Sequence, residues 1–581
     1  MKKYIYIILV FISLIVVGCN DDFLEKYPDD AITDQVYWKT PNDLKVFANQ
    51  FYGSLDGPAN IVGPDDTSDN QVPTNLDAYT NGLTVVPASA SDAGWTWDNI
   101  RNVNYFLSRY QTVEGNPEEI NKYVAEVRFF RAKFYFDKVV RFGDVPWYET
   151  DLNTASTEEL YKPRDSRELV MAKVMEDLDY AIENLPETPE TGRLSTYAAA
   201  ALKSRAALFE GTFRKYHNGT TTYPGSDDGS QMLTESIEAS EYIMNSDKFR
   251  IVKLADEPSM DYQNLFLQEE LNGDKEGILV RRYLADVLTQ NLTRQVQESR
   301  TGFSKEFVKS YLVNNGLPIS YNGAPNPAYY GDNLLADETS DRDPRLKQTI
   351  WYPGRVWQIS PTGEETFLPN FPDFNRQSTG YYNLKYASPS ILQWNYNLST
   401  LDVYVFRYAE VLLNYAEAKA EMGNATQAVL DASLNLIRDR ISLPHMTTNG
   451  TNVGSAAVPG VSITSSTTWP DYGYSLTPLL QEIRRERRVE LAGEGFRFND
   501  LIRWRAGNLL NNPETIVGVR ITDDMEAKWP VLVPFERNAN DQLVVYPGKP
   551  NRVWNDKLYL HPLPSNELIL NPDLGGQNPG W

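Results

Sequence analysis

Apolar residues return every three or four positions over several long stretches, which is the spacing of one buried face on a helix. Tyr123, Val127, Phe130 and Phe134 stand at intervals of 4, 3 and 4, and Gly143 with Pro146 ends the pattern. Asp165 and Glu168 form a capping box ahead of Val170, Val174, Leu178, Ala181 and Leu185, with Pro186 as the stop. Ser195 caps a further stripe of Ala199, Leu202, Ala206 and Phe209, whose small residues let helices approach closely. After a polar insertion, Leu233, Ile237, Ser240 and Met244 continue the pattern. Helix returns at Tyr404, where Phe406, Ala409, Leu413, Ala416 and Ala420 lead to Gly423, and Ala428, Ala432 and Leu436 build a partner. The spacing of Ala416, Gly423 and Ala428 is that of a tetratricopeptide hairpin.

Several such pairs along one chain predict a mainly α protein on a tetratricopeptide-like helical-repeat scaffold, an α/α superhelix, although the copies have diverged from a period of about 34 residues. Asp34 to Ser54 reads as helix, but 56–97 is dense in breakers, among them Gly57, Pro58, Gly63, Pro64, Pro73, Gly82 and Pro87. From Asp247 to Asp402 the helical signal fades apart from a helix near Lys305 to Val313, and aromatics from Trp351 to Tyr396 are interleaved with prolines and glycines. The chain therefore divides into 1–18, 19–33, an N-terminal helical scaffold 34–246 carrying the loop 56–97, a loop-rich insertion with small strands 247–402, and a C-terminal scaffold 403–581. The last helix pair, Ile483 to Trp504, breaks at Gly493 and Gly495 and interleaves Arg484, Arg485, Arg487 and Arg488 with Glu482, Glu486 and Glu490. Glu482 faces Arg485 and Arg487 faces Glu490 at i,i+3, so the run reads as a solvated or interhelical salt-bridge face, and its own glutamates weaken a basic patch.

Charge narrows the partners. With 78 acidic and 55 basic residues in 581, the net charge is -23, which repels phosphate backbones and argues against nucleic acid. At the start, Lys2 and Lys3 precede an apolar run from Tyr4 to Val17, and Val16, Val17, Gly18 and Cys19 form a lipobox. The run is too short for a comfortable membrane span. Cys19 is the only cysteine, so an internal disulfide is impossible and acylation would leave no thiol for catalysis. A mature chain starting at an acylated Cys19 would sit on a membrane, each buried methylene contributing about 0.8 kcal/mol; the alternative is an idle cysteine behind a plain signal peptide.

The chain resembles the SusD/RagB family of outer-membrane nutrient-binding lipoproteins. The resemblance runs through Cys19 with Asp21 and Asp22, RFFRAKFYFDKVVRFGDVPW from Arg128, RYAEVLLNYAEAKAEMG from Arg407, Ile483 to Trp504, and HPLPSNELILNPDLGGQNPGW from His561. It implies four tetratricopeptide-like helix pairs as scaffold and loops with small strands as the ligand face. It also implies a glycan ligand, a SusC-like TonB-dependent transporter barrel as partner, and a lipid anchor in the outer membrane facing the cell exterior, with the acidic residues after Cys19 as export signal. It implies no catalysis and no cofactor. A peptide-binding importer of the same build and a glycoside hydrolase with a carboxylate pair are the rival readings.

Ligand residues lie outside the shared motifs and follow from chemistry instead. Sugars offer apolar C–H faces and a rim of hydroxyls, which suit flat aromatics beside amides, carboxylates and guanidinium groups. Asp65, Asp69, Asn70, Asp77 and Trp95 in the first loop, and Arg376, Tyr381 and Trp394 in the insertion, are the candidates. Each has a plainer alternative: Trp95 as core, the aspartates and Asn70 as turn formers. Trp97 leads into a helix containing Ile100, Val103 and Phe106 and is expected to pack. The aspartates lack the glycine and terminal glutamate of a calcium loop. His217, His445 and His561 are scattered, and no zinc, serine-hydrolase or phosphate-loop motif is present, so no metal or catalytic residue is assigned. A carboxylate pair needs no local spacing, and motif alone leaves glycoside hydrolysis open.

Overall fold

The scaffold is built on a helix that both ends of its sequence define. Asn116 accepts a hydrogen bond from the Glu118 N–H at 2.9 Å, Pro117 takes the first position, and Gly143 at φ +76 ends the run. In the computed structural model, which describes residues 34–581 except 353, 368–372, 375, 550 and 551, this helix is Pro117–Phe142. Cys19 and the stretches 1–18 and 19–33 therefore lie outside the described residues.

The principal helices are α1 (Pro41–Ala48), α2 (Asp98–Leu107), α3 (Pro117–Phe142), α4 (Arg167–Asn184), α5 (Thr196–His217), α6 (Ser230–Met244), α7 (Leu292–Glu298), α8 (Tyr408–Glu421), α9 (Pro478–Glu490) and α10 (Arg497–Arg503). α3 packs against α4, α4 against α5, α5 against α6, α6 against α8 and α8 against α9, which gives a mainly α, tetratricopeptide-like stack of helix pairs. α1 and α2 cover another side of α3, so Val124, Val127, Phe130, Tyr135 and Val139 are all buried. The α5–α6 pair shows why small residues recur. A Cβ on Gly211 would stand 2.9 Å from Leu233, and one on Gly229 would stand 1.9 Å from the Gly211 carbonyl oxygen.

Several boundaries differ from the sequence reading. Asp34 to Ser54 splits into short helical pieces, and α4 is capped by Ser166 rather than Asp165, whose carboxylate accepts from the Trp147 N–H at 2.7 Å. The helix near Lys305 ends at Lys309, and the partner of α8 is two short helices, Gln427–Asp431 and Leu434–Arg440. Residues Val403–Arg407 form a strand, and α8 starts only at Tyr408. The run Val403, Tyr404, Val405, Phe406 is β-branched and aromatic, and an available strand at Gly277–Arg281 pairs with it.

Six short strands tie the loop regions together: β1 (Gln71–Pro73), β2 (Gly277–Arg281), β3 (Thr301–Phe303), β4 (Ile350–Trp351), β5 (Tyr382–Asn383) and β6 (Val403–Arg407). β6 pairs with β2, while the others form one antiparallel sheet in the order β1, β3, β5, β4. Val72 faces Gly302, Gly302 faces Tyr382 and Tyr382 faces Trp351. This sheet stitches the first loop to the insertion. Gly302 is required there, because a Cβ would meet Thr379 Oγ1 at 2.1 Å.

α9 is not a solvated face. Arg484, Arg485, Arg487 and Arg488 are all buried, as are Glu482, Glu486 and Glu490. The expected Glu482–Arg485 pair forms at 2.7 Å, but Arg487 turns to Asp500 at 3.0 Å rather than to Glu490. Glu490 instead receives Arg345 at 3.0 Å, Arg407 at 2.8 Å and Arg440, and Glu486 receives Arg345, Arg438 and Arg485. Burying so many charges is tolerable only because each has a hydrogen-bonded opposite.

Candidate functional site

The first-loop candidates answer the demand of that network. Asp69 clamps Arg497 at 2.7 Å and lies 3.2 Å from Arg488, while Asn70 Oδ1 accepts from Arg488 Nε at 2.7 Å. Asp65 accepts from the Gly493 N–H at 2.7 Å and from Asn70 Nδ2 at 3.4 Å. All three are buried, and their atoms are turned to the α9–α10 turn rather than to solvent. Asp77 is half-buried and closes a turn by accepting from the N–H groups of Tyr79 and Thr80 at 3.0 and 3.2 Å.

Two aromatic candidates are placed in the same way. Trp95 is 3% exposed and packs edge-on against Phe142 and Trp97, with centroids 4.9 and 5.2 Å away. Tyr381 is fully buried; its hydroxyl donates to Glu338 at 2.8 Å and accepts from Lys305 at 3.1 Å. Asp65, Asp69, Asn70, Trp95 and Tyr381 are therefore placed among packing and ion-pair partners, with little of their surface open to solvent. A charge or ring removed from water needs such partners, although Asp65 Oδ1 receives no hydrogen bond and Trp95 borders a small cavity of about 240 Å³.

Arg376 and Trp394 are placed differently. The Arg376 guanidinium lies 5.5 Å from the Trp394 ring and 5.9 Å from Trp357, and the two indoles meet at 5.5 Å and 65°. Arg376 also approaches Glu298 at 3.7 Å, and Glu298 pairs with Arg294 at 2.7 Å. Arg294 in turn sits 5.6 Å from the ring of Tyr396, which is 67% exposed.

Of these groups Arg294 and Glu298 line a cleft of about 360 Å³ between α7, the short helix Pro58–Val62 and the edge of the four-stranded sheet, with Tyr396 beside Arg294 and Arg376 beside Glu298. Asn291, Arg294, Gln295 and Glu298 line one wall, Asp66 faces from the first loop, and Gln71, Thr301 and Asn383 come from β1, β3 and β5. The buried oxygens Asn383 Oδ1 and Gln295 Oε1 receive no hydrogen bond. Buried acceptors of this kind are costly unless a donor arrives. Asp66 receives the Thr301 hydroxyl at 2.9 Å, and burial, helped by the neighbouring Asp65 and Asp77, pushes its carboxyl up to about 6. A neutral, hydroxyl-rich ligand in this cleft should therefore bind more tightly as pH climbs through about 6 and Asp66 becomes an anionic acceptor. Asp66→Asn should flatten that rise in calorimetric titrations between about pH 5 and about pH 8.

A larger cavity of about 550 Å³ opens between α3, α5 and the start of α10, but its charges are already paired, Arg205 with Glu410 at 2.6 Å and Lys133 with Asp137 at 2.9 Å. Among the described residues no cluster of three His, Cys, Asp or Glu side chains is arranged to hold a metal ion.

Sequence reasoning did not single out Gln295, Asn383, Arg294 and Glu298, which line this cleft, or Tyr396 beside Arg294. A signal existed for three of them. Asn291, Arg294, Gln295 and Glu298 share one face of α7, while Leu292, Thr293, Val296 and Gln297 are buried on the other. Asn383 carries no such mark, because only sheet pairing brings it to the cleft.

Comparison with known proteins places the chain. The model of the SusD family matches residues 289–581, and a second model, described as starch-binding associating with outer membrane, matches residues 22–208. The SusD-like protein P2 of Formosa agariphila is 24% identical over 600 residues, covering 100% of both chains. The SusD-like protein P38 of the same organism is 24% identical over 541 residues, 87% of this chain and 92% of that one. A solved SusD-like carbohydrate binding protein from Bacteroides fragilis superposes with a TM-score of 0.70 at 23% identity, over 93% of this chain and 99% of that one. A chain solved with xylogluco-oligosaccharide superposes with a TM-score of 0.59 at 17% identity, over 92% of this chain and 98% of that one. These likenesses establish the fold.

Proposed function

The chain belongs to the SusD family, and from that premise we propose that it captures an oligosaccharide in the cleft beside α7 and delivers it to a TonB-dependent transporter barrel in the outer membrane. One observation carries the reading. Unpartnered amide oxygens of Gln295 and Asn383, the Asp66 carboxyl and the Arg294 guanidinium converge on one cleft, and the exposed ring of Tyr396 lies 5.6 Å from Arg294. That is the donor–acceptor and aromatic mixture that hydroxyls and C–H faces ask for. In this reading 34–246 and 403–581 are scaffold and 247–402 supplies most of the ligand face. Acylated Cys19 holds the protein on the exterior of the outer membrane, in keeping with the description of the family model that covers 22–208. No helix among the described residues is long and apolar enough to cross a membrane.

Affinity electrophoresis against a panel of polysaccharides, followed by calorimetry with fragments of the best one, tests the assignment. Binding that weakens in Tyr396→Ala supports it; binding of peptides but of no glycan would give the protein to peptide import instead. Protease treatment of intact cells should remove the protein, Cys19→Ala should release it from the membrane fraction, and the barrel should co-purify with the acylated form. Glycoside hydrolysis draws on one observation, that Asp66 and Glu298 line the same cleft and the Asp66 carboxyl is raised to about 6. Release of reducing ends that is lost in Asp66→Asn would favour hydrolysis over capture.

A further inference from the structure

Among the described residues, two cations on the last turns of α3 have no carboxylate within ion-pair distance. Lys138 is only 9% exposed, yet Asp137 and Asp98 act on its ammonium from a distance and neither accepts a hydrogen bond from it. Arg141 lies one turn on, against Gly94, where an added Cβ would stand 3.4 Å from its Cζ. Among the described residues the Tyr79 phenol favours its charge, and Arg141 in turn disfavours protonation of His561. Both cations line a pocket of about 290 Å³ together with Gly94, Thr96, Asp98 and Asn99.

The N-terminus of α2 opens on the same pocket. Trp97 holds the cap position and offers no side-chain acceptor to the first-turn N–H groups, and its ring lies under Lys138 at 4.6 Å. Unsatisfied N–H groups and the positive end of a helix attract an anion. The uncapped helix end alone would mean little, but the Lys138 side chain beside it, nine-tenths buried and without a hydrogen-bonded carboxylate, is a second and independent demand for negative charge. Asp137 is already held by Lys133 at 2.9 Å, so the exposed Asp98 is the carboxylate that an incoming anion must outweigh, and two cations outweigh it. Burial pushes the Lys138 ammonium down to about 8, a cost that a bound anion would offset.

We propose that this pocket is an oxyanion site that receives the carboxylate or sulfate group of an acidic saccharide. The choice of saccharide rests on the carbohydrate reading and on position: the pocket shares Asn99, Phe134 and Asp137 with the 550 Å³ cavity, which leaves room for the rest of a chain.

The test uses the full chain at low salt, titrated with trigalacturonate, with neutral galactotriose and with sodium sulfate. The acid should bind about tenfold or more tighter than the neutral sugar, as expected for a charge-assisted pair of hydrogen bonds. Lys138→Met and Arg141→Gln should bring the two sugars level, and Asp98→Asn should tighten the acid further, a gain that a merely structural role would not produce. Arg141 is exposed, so its replacement leaves folding intact if Lys138→Met does not. Sulfate that competes with trigalacturonate and loses affinity in the same variants supports an oxyanion site. Sulfate binding without any preference for the acidic sugar overturns the saccharide assignment, and equal preference in wild type and both variants overturns the site. If neutral glycans bind and depend on Tyr396 while Lys138 and Arg141 make no difference, the cleft stands and this pocket falls; if no saccharide binds at all, both readings fall.

Discussion

Glu490→Ala should lower the stability of the fold by about 3–5 kcal/mol, the range for removing one partner of a buried ion pair. Glu490 is fully buried and takes the charges of Arg345, Arg407 and Arg440, none of which has water to turn to. Burial by itself would raise its carboxyl, but Arg440, Arg407 and Arg345 outweigh that and hold it down to about 2. The sign of the pH effect follows. A folded value below the unfolded one of about 4.3 means stability that is complete above that pH and is lost as pH falls toward about 2. Urea unfolding followed by tryptophan fluorescence should show the loss at neutral pH, and the gap between wild type and Glu490→Ala should narrow on acidification. Glu190, whose pair with Lys45 lies at the surface, is the control and its alanine variant should unfold at the wild-type midpoint. A Glu490→Ala midpoint equal to the Glu190→Ala one would mean that the arginine network does not hold the scaffold together.

The second large effect separates packing from binding. Trp95→Ala removes a buried indole from between Phe142 and Trp97 and should cost about 3–5 kcal/mol of stability, while affinity for the best glycan per folded molecule stays unchanged. Tyr396→Ala should do the reverse. Its ring is exposed beside Arg294, so stability should hold, whereas losing about 60–100 Å² of sugar-facing apolar contact costs about 1.5–2.5 kcal/mol, a tenfold or greater fall in affinity. Calorimetry and thermal melts on both variants read the two effects separately. A Trp95→Ala protein that folds normally but binds nothing would return the platform to the first loop.

Much of the helical scaffold can be read along the chain because its determinants are local. Gly143, Ser195 and Gly423 end or start helices where the apolar period changes, and the structure has helix boundaries at all three. At Tyr404 the stripe from Phe406 to Ala420 predicts helix one turn too early, because the competing strand lies more than a hundred residues away at Gly277–Arg281. The ligand face is harder for the same reason. Asp65, Asp66, Asp69 and Asn70 are near neighbours in an acidic loop, yet only Asp66 lines the cleft, since the others are drawn to Arg488, Arg497 and the Gly493 N–H.

What the sequence determined by itself is the family, the mainly α class and the position of the helix pairs, each set by caps, breakers and spacing within one or two turns. Which side chains are free to meet a ligand was decided by tertiary structure. An aspartate is available or consumed according to whether a buried arginine elsewhere in the chain reaches it first. α9 carries four arginines into the interior, where Arg485 pairs within α9, Arg484 with Glu421 of α8, Arg487 with Asp500 of α10 and Arg488 with Asp69 of the first loop. The cost of leaving such a charge unpaired is several kcal/mol, far more than any local turn preference, so the long-range partner prevails and the cleft is left to the residues it did not claim.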